Sequence, residues 1–208
     1  MAAKLAISTL ADVRHTMFMS GLTPFPREHW TTLRPAMKAQ ASIHHGVIGH
    51  RPKGPFKHYW GEAQRRVGND QPFSLWLATG VPFEVIEESP GEGWTFLSDF
   101  DAKALASDGS AGNPRVICRD SASASPKGSR AVREGLAELF ALKHELGDYL
   151  RKVPHILEDE PAVCAWYPKA RRVLVWNLST VRKTLTLALD RNRRGFSVGP
   201  LALESLAY

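Results

Sequence analysis

Cysteine is scarce, and its scarcity removes several chemistries at once. The chain has two, Cys118 and Cys164. Neither belongs to a CxxC pair and both sit in apolar runs, so a disulfide framework and a thiolate zinc site are excluded, and reduced buried thiols are expected. Long hydrophobic runs are missing too. No stretch approaches the roughly 18 apolar residues of a membrane span. The N-terminal MAAKLAISTLADVRHTMFM is interrupted by Asp12, Arg14 and His15, so it does not read as a signal peptide, and a cytoplasmic protein is expected. There is no GxGxxG, no P-loop, no GxSxG and no HExxH, which removes the common signatures of nucleotide binding, serine hydrolysis and zinc proteolysis. His44, His45, His50 and His58 are joined by no acid or cysteine at ligand spacing, so no metal and no cofactor is expected.

What is present is ordinary for a globular chain of 208 residues: 43% hydrophobic and 23% charged, with a net charge of +6. That length leaves room for one large or two small domains. The positive excess is local. Lys169, Arg171, Arg172, Arg182, Lys183, Arg191, Arg193 and Arg194 crowd one segment whose only acid is Asp190. Such a cluster reads as solvated turns between strands. A nucleic-acid surface is the alternative, and against it no reading element or exposed aromatic accompanies the cluster.

Residues 1–48 read as helical. Leu10, Val13, Met17 and Phe18 form one stripe, and Trp30, Leu33 and Met37 form another after Pro24 and Pro26. No strand lies between them to bury these faces. Residues 49–68 read as a loop. A short helix is expected next, capped by Asp70, with Pro72 in its first turn, Phe73, Leu75, Trp76 and Leu77 buried, and Gly80 as its stop. VPFEVIEE (81–88), GWTFLSD (93–99) and PRVIC (114–118) read as strands, with Asp99 capping a short helix between the last two. The Ser/Ala-rich 120–130 reads as a linker and 130–152 as one amphipathic helix ended by Pro154. From Glu160 the apolar period becomes two. AVCAWY (162–167), RVLVWNLS (172–179), TLTLALD (184–190) and GFSVGPLALESL (195–206) read as successive antiparallel strands.

Three segments together carry a family resemblance. FSLWLATG leading into VPFEV, then GWTFLSDFDAKAL and PRVICRD, resemble the glutamine-amidotransferase-like module that follows the barrel in some β-galactosidase-type enzymes, where it serves as a trimerisation-type domain. The tail, VCAWYPKARRVLVWNLS with TLTLALD and GPLALESL, is similar to the β-sandwich that closes many bacterial glycoside hydrolases. The resemblance implies a helical remnant of a TIM barrel plus exit loop over 1–60, a flavodoxin-like parallel α/β domain over 61–153, and an antiparallel β-sandwich over 154–208. It also implies the non-catalytic C-terminal portion of a glycoside-hydrolase-like protein, packed on an upstream barrel domain and able to form homo-oligomers. A free-standing carbohydrate-binding or oligomerisation module is the alternative. The chain departs from catalytic members in two respects. Cys118 lacks the flanking glycines of a nucleophile turn, and the barrel strands that carry paired carboxylates in glycosidases are absent.

GPFKHYWGEA (54–63) is the best candidate for contact with a carbohydrate. Tyr59 and Trp60 offer flat faces for stacking on a sugar ring, Lys57 and His58 offer hydroxyl contacts, and Glu62 is the placed carboxylate. The competing reading anchors both aromatics in the core and pairs Glu62 with Arg65 or Arg66. No catalytic set is expected in the chain.

Overall fold

A computed structural model describes residues 2–13, 26–67, 73–88, 93–109 and 115–208. Arg14, His15, Met17, Phe18, Pro24, Asp70, Pro72 and the proline that opens PRVIC, named above, lie outside these. Two helices lead, α1 (Ala2–Leu10) and α2 (Arg27–His45). Then come β1 (Phe56–Tyr59), α3 (Glu62–Val67), β2 (Thr79–Ile86), β3 (Trp94–Phe96), α4 (Asp99–Ser107), β4 (Val116–Arg119), β5 (Arg130–Val132) and α5 (Leu136–Glu145). The C-terminal part adds β6 (His155–Ile156), β7 (Ala162–Tyr167), β8 (Arg172–Asn177), β9 (Lys183–Leu189), β10 (Asn192–Val198) and β11 (Leu203–Ala207). No helix among the described residues is long and apolar enough to cross a membrane.

The strands form a mixed eight-stranded sheet in the order β11-β8-β7-β2-β1-β3-β4-β5 and a second, three-stranded sheet in the order β10-β9-β6. From β7 through β5 the neighbours are parallel, while β7–β8 and β8–β11 are antiparallel. The small sheet is antiparallel throughout.

Alternation of side chains along each strand sorts the core into layers. On one face of the parallel half, Phe56, Phe96 and Ile117 pack with Trp76 and with Leu139, Leu142 and Leu146 of α5 and the residue after it. Trp76 stacks on Phe96 at 4.8 Å and meets Phe56 edge-on at 5.1 Å. On the other face, Leu97, Val116 and Cys118 receive Ala102 of α4. In the antiparallel half, Ala162, Cys164, Val173 and Val175 face Leu185, Leu187 and Val198 of the small sheet. Val163, Ala165, Tyr167 and Leu174 face the opposite way, toward Ala6 and Val47.

Several expectations are corrected. The first 48 residues do find a sheet: Ala6 of α1 and Val47, just beyond α2, are buried against β7, β8 and β11, a non-local contact that local pattern does not reveal. The supposed exit loop contains β1, which stands between β2 and β3. The expected helix before β2 is a single 3-10 turn, Leu75–Ala78, and Gly80 lies inside β2 at φ +75°. A Cβ there would also strike Ile156, so close approach of β6 requires a glycine. The expected helix over 130–152 is β5, then α5 with Gly135 as its N-cap, then a second 3-10 turn from Gly147 to Leu150. Glycine's cost inside a helix moves both glycines to element ends. GFSVGPLALESL divides at Gly199–Ala202 into β10 and β11, which belong to different sheets.

Phe96 touches three aromatic rings of the core. Phe96→Ala is expected to cost about 3–5 kcal/mol, read as a lower urea midpoint with an unchanged denaturant slope.

Candidate functional site

In parallel α/β sheets, ligands bind outside the carboxyl ends of the strands where the winding reverses direction. Here that point lies between β1 and β3, because β2 is added on one side of β1 and β3, β4 and β5 on the other. Tyr59-Trp60-Gly61 leaves β1 at this edge, and Leu97-Ser98-Asp99 leaves β3.

A carboxylate of the chain itself occupies the space between them. Asp101 is 1% exposed. Its Oδ2 accepts the Gly61 amide at 3.0 Å and the Ser98 hydroxyl at 3.0 Å, and its Oδ1 accepts the Gln64 amide at 3.2 Å. The first amides of a helix have no partner within it, and those at the start of α3 are met by Asp101 rather than by solvent. Ser98 is the N-cap of α4, accepting the Asp101 amide at 3.1 Å. Ser98 therefore replaces Asp99 in the expected capping role. Asp99 instead accepts from the Nε of buried Arg119 at 3.1 Å. Arg119 also donates to Glu134 at 3.0 Å, and Glu134 accepts the Leu75 amide at 3.1 Å. Gly61 is forced by proximity, since a Cβ would collide with the Asp101 carboxylate and the Tyr59 ring.

The five residues expected at a carbohydrate site do not converge. Lys57 and Tyr59 share one face of β1 and His58 the other, while Trp60 and Glu62 lie past the strand end. His58 stacks on Phe96 at 5.5 Å and meets Phe83 edge-on at 6.2 Å. Its Nε2 is buried without a hydrogen-bond partner among the described residues, although the residue as a whole is only half-buried. Burial lowers the imidazole pKa to about 4. Tyr59 packs on the Leu97–Ala102 layer, and burial, then the Asp101 carboxylate, raise its phenol. Trp60 is 42% exposed. Glu62 is exposed and pairs with Arg66, while Arg65 pairs with Glu87 at 3.1 Å. Among the described residues no group of three or more His, Cys, Asp or Glu side chains could hold a metal ion.

Both thiols are buried. Burial raises Cys118, partly offset by a hydrogen bond with the Ser129 side chain, and pushes Cys164 up to about 12. A thiol held protonated is a poor nucleophile.

The Asp101 clamp went unread in the sequence, although Ser98-x-x-Asp101 is a helix-start pattern. That pattern places Ser98 as the cap. It does not reveal that the carboxylate reaches a second helix.

A scan against protein-family models found no matching family, and searches of curated proteins and of solved structures found no match.

Asp101→Ala leaves the Gly61 and Gln64 amides and the Ser98 hydroxyl without their acceptor and is expected to cost at least about 2 kcal/mol. Glu62→Gln, at an exposed pair, should stay within about 0.5 kcal/mol of the parent in the same urea titration. The folded His58 pKa of about 4 lies below the unfolded value of about 6.5. As pH falls through this window the unfolded chain takes up the proton first, so stability present above about 6.5 is lost toward 4. Urea titrations across that range should show a shallower fall for His58→Phe than for the parent protein, and parallel curves would contradict the assignment.

Proposed function

We propose that this chain is a non-catalytic C-terminal portion of a glycoside-hydrolase-like protein, which packs on a barrel and borders a carbohydrate cleft. The observation that carries the reading is the Asp101 carboxylate at the switch point. At the position where open α/β sheets bind ligands, this chain places an internal hydrogen-bond network, which suits a packing module. The parallel order β2-β1-β3-β4-β5 supports a flavodoxin-like core of the glutamine-amidotransferase-like kind. The apolar layer between β7–β8 and β9–β10 supports a β-sandwich as the closing element. Trp60, exposed at the carboxyl edge, is the side chain best disposed to border a sugar cleft. On this reading the protein turns over none of a panel of aryl glycosides. Hydrolysis that disappears in Glu62→Gln would overturn it.

One observation favours the second reading, an oligomerisation or free-standing binding module. α2 has no buried residue along its 19 positions, and Trp30 is 45% exposed, beside Met37 and Ala41 around one apolar depression. A helix of this kind ordinarily buries such a stripe against a partner. If that partner is a second copy, sedimentation velocity shows concentration-dependent association that Trp30→Glu abolishes. A monomer at every concentration leaves the barrel-packing role.

A further inference from the structure

A second cavity lies away from the β1–β3 edge. It measures about 440 Å³ and is walled by His50, Arg51, Lys53, Tyr167 and Lys169. Binding pockets for small molecules span roughly 300–1,000 Å³, so the space fits a ligand of monosaccharide size. Four of these five side chains carry or can carry positive charge. The fifth, Tyr167, is 1% exposed, and its hydroxyl has no hydrogen-bond partner among the described residues. Buried polar groups are nearly always partnered, so an enclosed hydroxyl beside a cationic wall calls for an acceptor.

The acids nearest the wall are engaged by groups other than His50, Arg51 and Lys169. Lys53 pairs with Glu84, but His50, Arg51 and Lys169 form no ion pair among the described residues. Asp12 and Glu87 line the adjoining cavity, which shares His50 and Arg51 with this one, and Glu87 is paired there with Arg65. Asp12 is engaged there by His44 at 2.9 Å and the Gly49 amide at 3.2 Å. The wall is also built rather than incidental. The Lys53 amide donates to the Trp166 carbonyl at 2.8 Å, which ties the 50–53 segment to β7 beside Tyr167.

We infer that this cavity binds a small oxyanion, a phosphate or carboxylate group, with Arg51 and Lys169 supplying charge and Tyr167 donating a hydrogen bond. Burial, then the Asp12 carboxylate, push the Tyr167 phenol up to about 12, so it remains a donor at neutral pH. Arginine and lysine are the side chains suited to such groups, arginine through its planar fork. The inference does not depend on the role proposed above, since the cavity lies on different residues from the β1–β3 edge.

The test is a calorimetric and thermal-shift titration of the full chain with inorganic phosphate, with sodium glucuronate, and with glucose as the uncharged control. Saturable binding of phosphate, glucuronate or both is expected, and none of glucose. Phosphate alone marks a phosphate-bearing ligand, and glucuronate alone an acidic sugar. Arg51→Gln with Lys169→Gln should weaken binding roughly tenfold or more. Tyr167→Phe separates the site from the fold. Without ligand it should be at least as stable as the parent, because it deletes an unpartnered buried hydroxyl, yet it should lose most of the ligand-induced rise in Tm. The inference is overturned if neither oxyanion binds saturably, if glucose binds as glucuronate does, or if the variants titrate like the parent.

Discussion

The buried carboxylate of Asp101 sets the geometry of the parallel half. Two helices begin at the ends of β1 and β3, and both present amide groups that have no partner in their own first turns. Two positive helix ends served by one site would repel if it were empty. A carboxylate between them satisfies the amides and supplies the opposite charge. Because Asp101 belongs to the first turn of α4 while its acceptor oxygens serve α3, the two crossovers cannot shift independently. The constraint propagates in two directions. It fixes Gly61, since any side chain there displaces the carboxylate. It also fixes Tyr59, whose ring packs on the layer that α4 covers.

A second polar anchor joins the halves of the molecule. Lys143 is buried on α5, and its ammonium donates to the Glu158 carbonyl at 2.8 Å. Burial lowers its pKa, and the Asp159 carboxylate at 3.5 Å works against that shift. A buried ammonium is tolerated only with such partners. The interaction holds the helix that covers the parallel strands against the segment that leads from β6 into β7. Together with the parallel β2–β7 pairing, it ties the two kinds of sheet into one continuous structure instead of leaving them as beads on a linker.

The antiparallel tail was legible in the sequence, and β1 was not, for one physical reason. In β7, β8 and β9 the side chains alternate between two apolar layers or between a layer and solvent, so a period of two is visible; AVCAWY matches β7 residue for residue. The parallel strands are three or four residues long except for β2, and a short strand covered on both faces carries no period. β1 is the extreme case. Its Lys57 and His58, flanked by Gly54, Pro55 and Gly61, have the composition of a loop, and only its neighbours make it a strand. The arrangement of the candidate residues was hidden for the same cause. Reading 54–63 as a loop put five side chains on one surface, whereas a strand sends His58 into an aromatic layer and leaves Trp60 and Glu62 beyond its end. The cavity beside Tyr167 joins residues over a hundred positions apart, which no local spacing could have announced.

The arginines of the β9–β10 turn illustrate how the fold reassigns a charge cluster. β10 is an outer strand of the small sheet, and Asn192, Arg193, Arg194 and Gly195 are exposed along it. An outer strand offers unpaired backbone groups to any other extended chain, and charged side chains along it oppose that pairing. Arg194 goes further, donating to the Ala207 carbonyl of β11 at 3.2 Å and so linking the edges of the two sheets. Arg172 is drawn inward as well, donating to the Ser205 hydroxyl at 3.2 Å. The segment that looked like one basic patch is thus divided among edge protection, inter-sheet contacts and, at Lys169, the wall of the cavity. A surface for nucleic acid needs its cations on one face, tracking a phosphate backbone; here Arg193 and Arg194 lie along the β10 edge, Arg172 turns toward β11 and Lys169 walls the cavity.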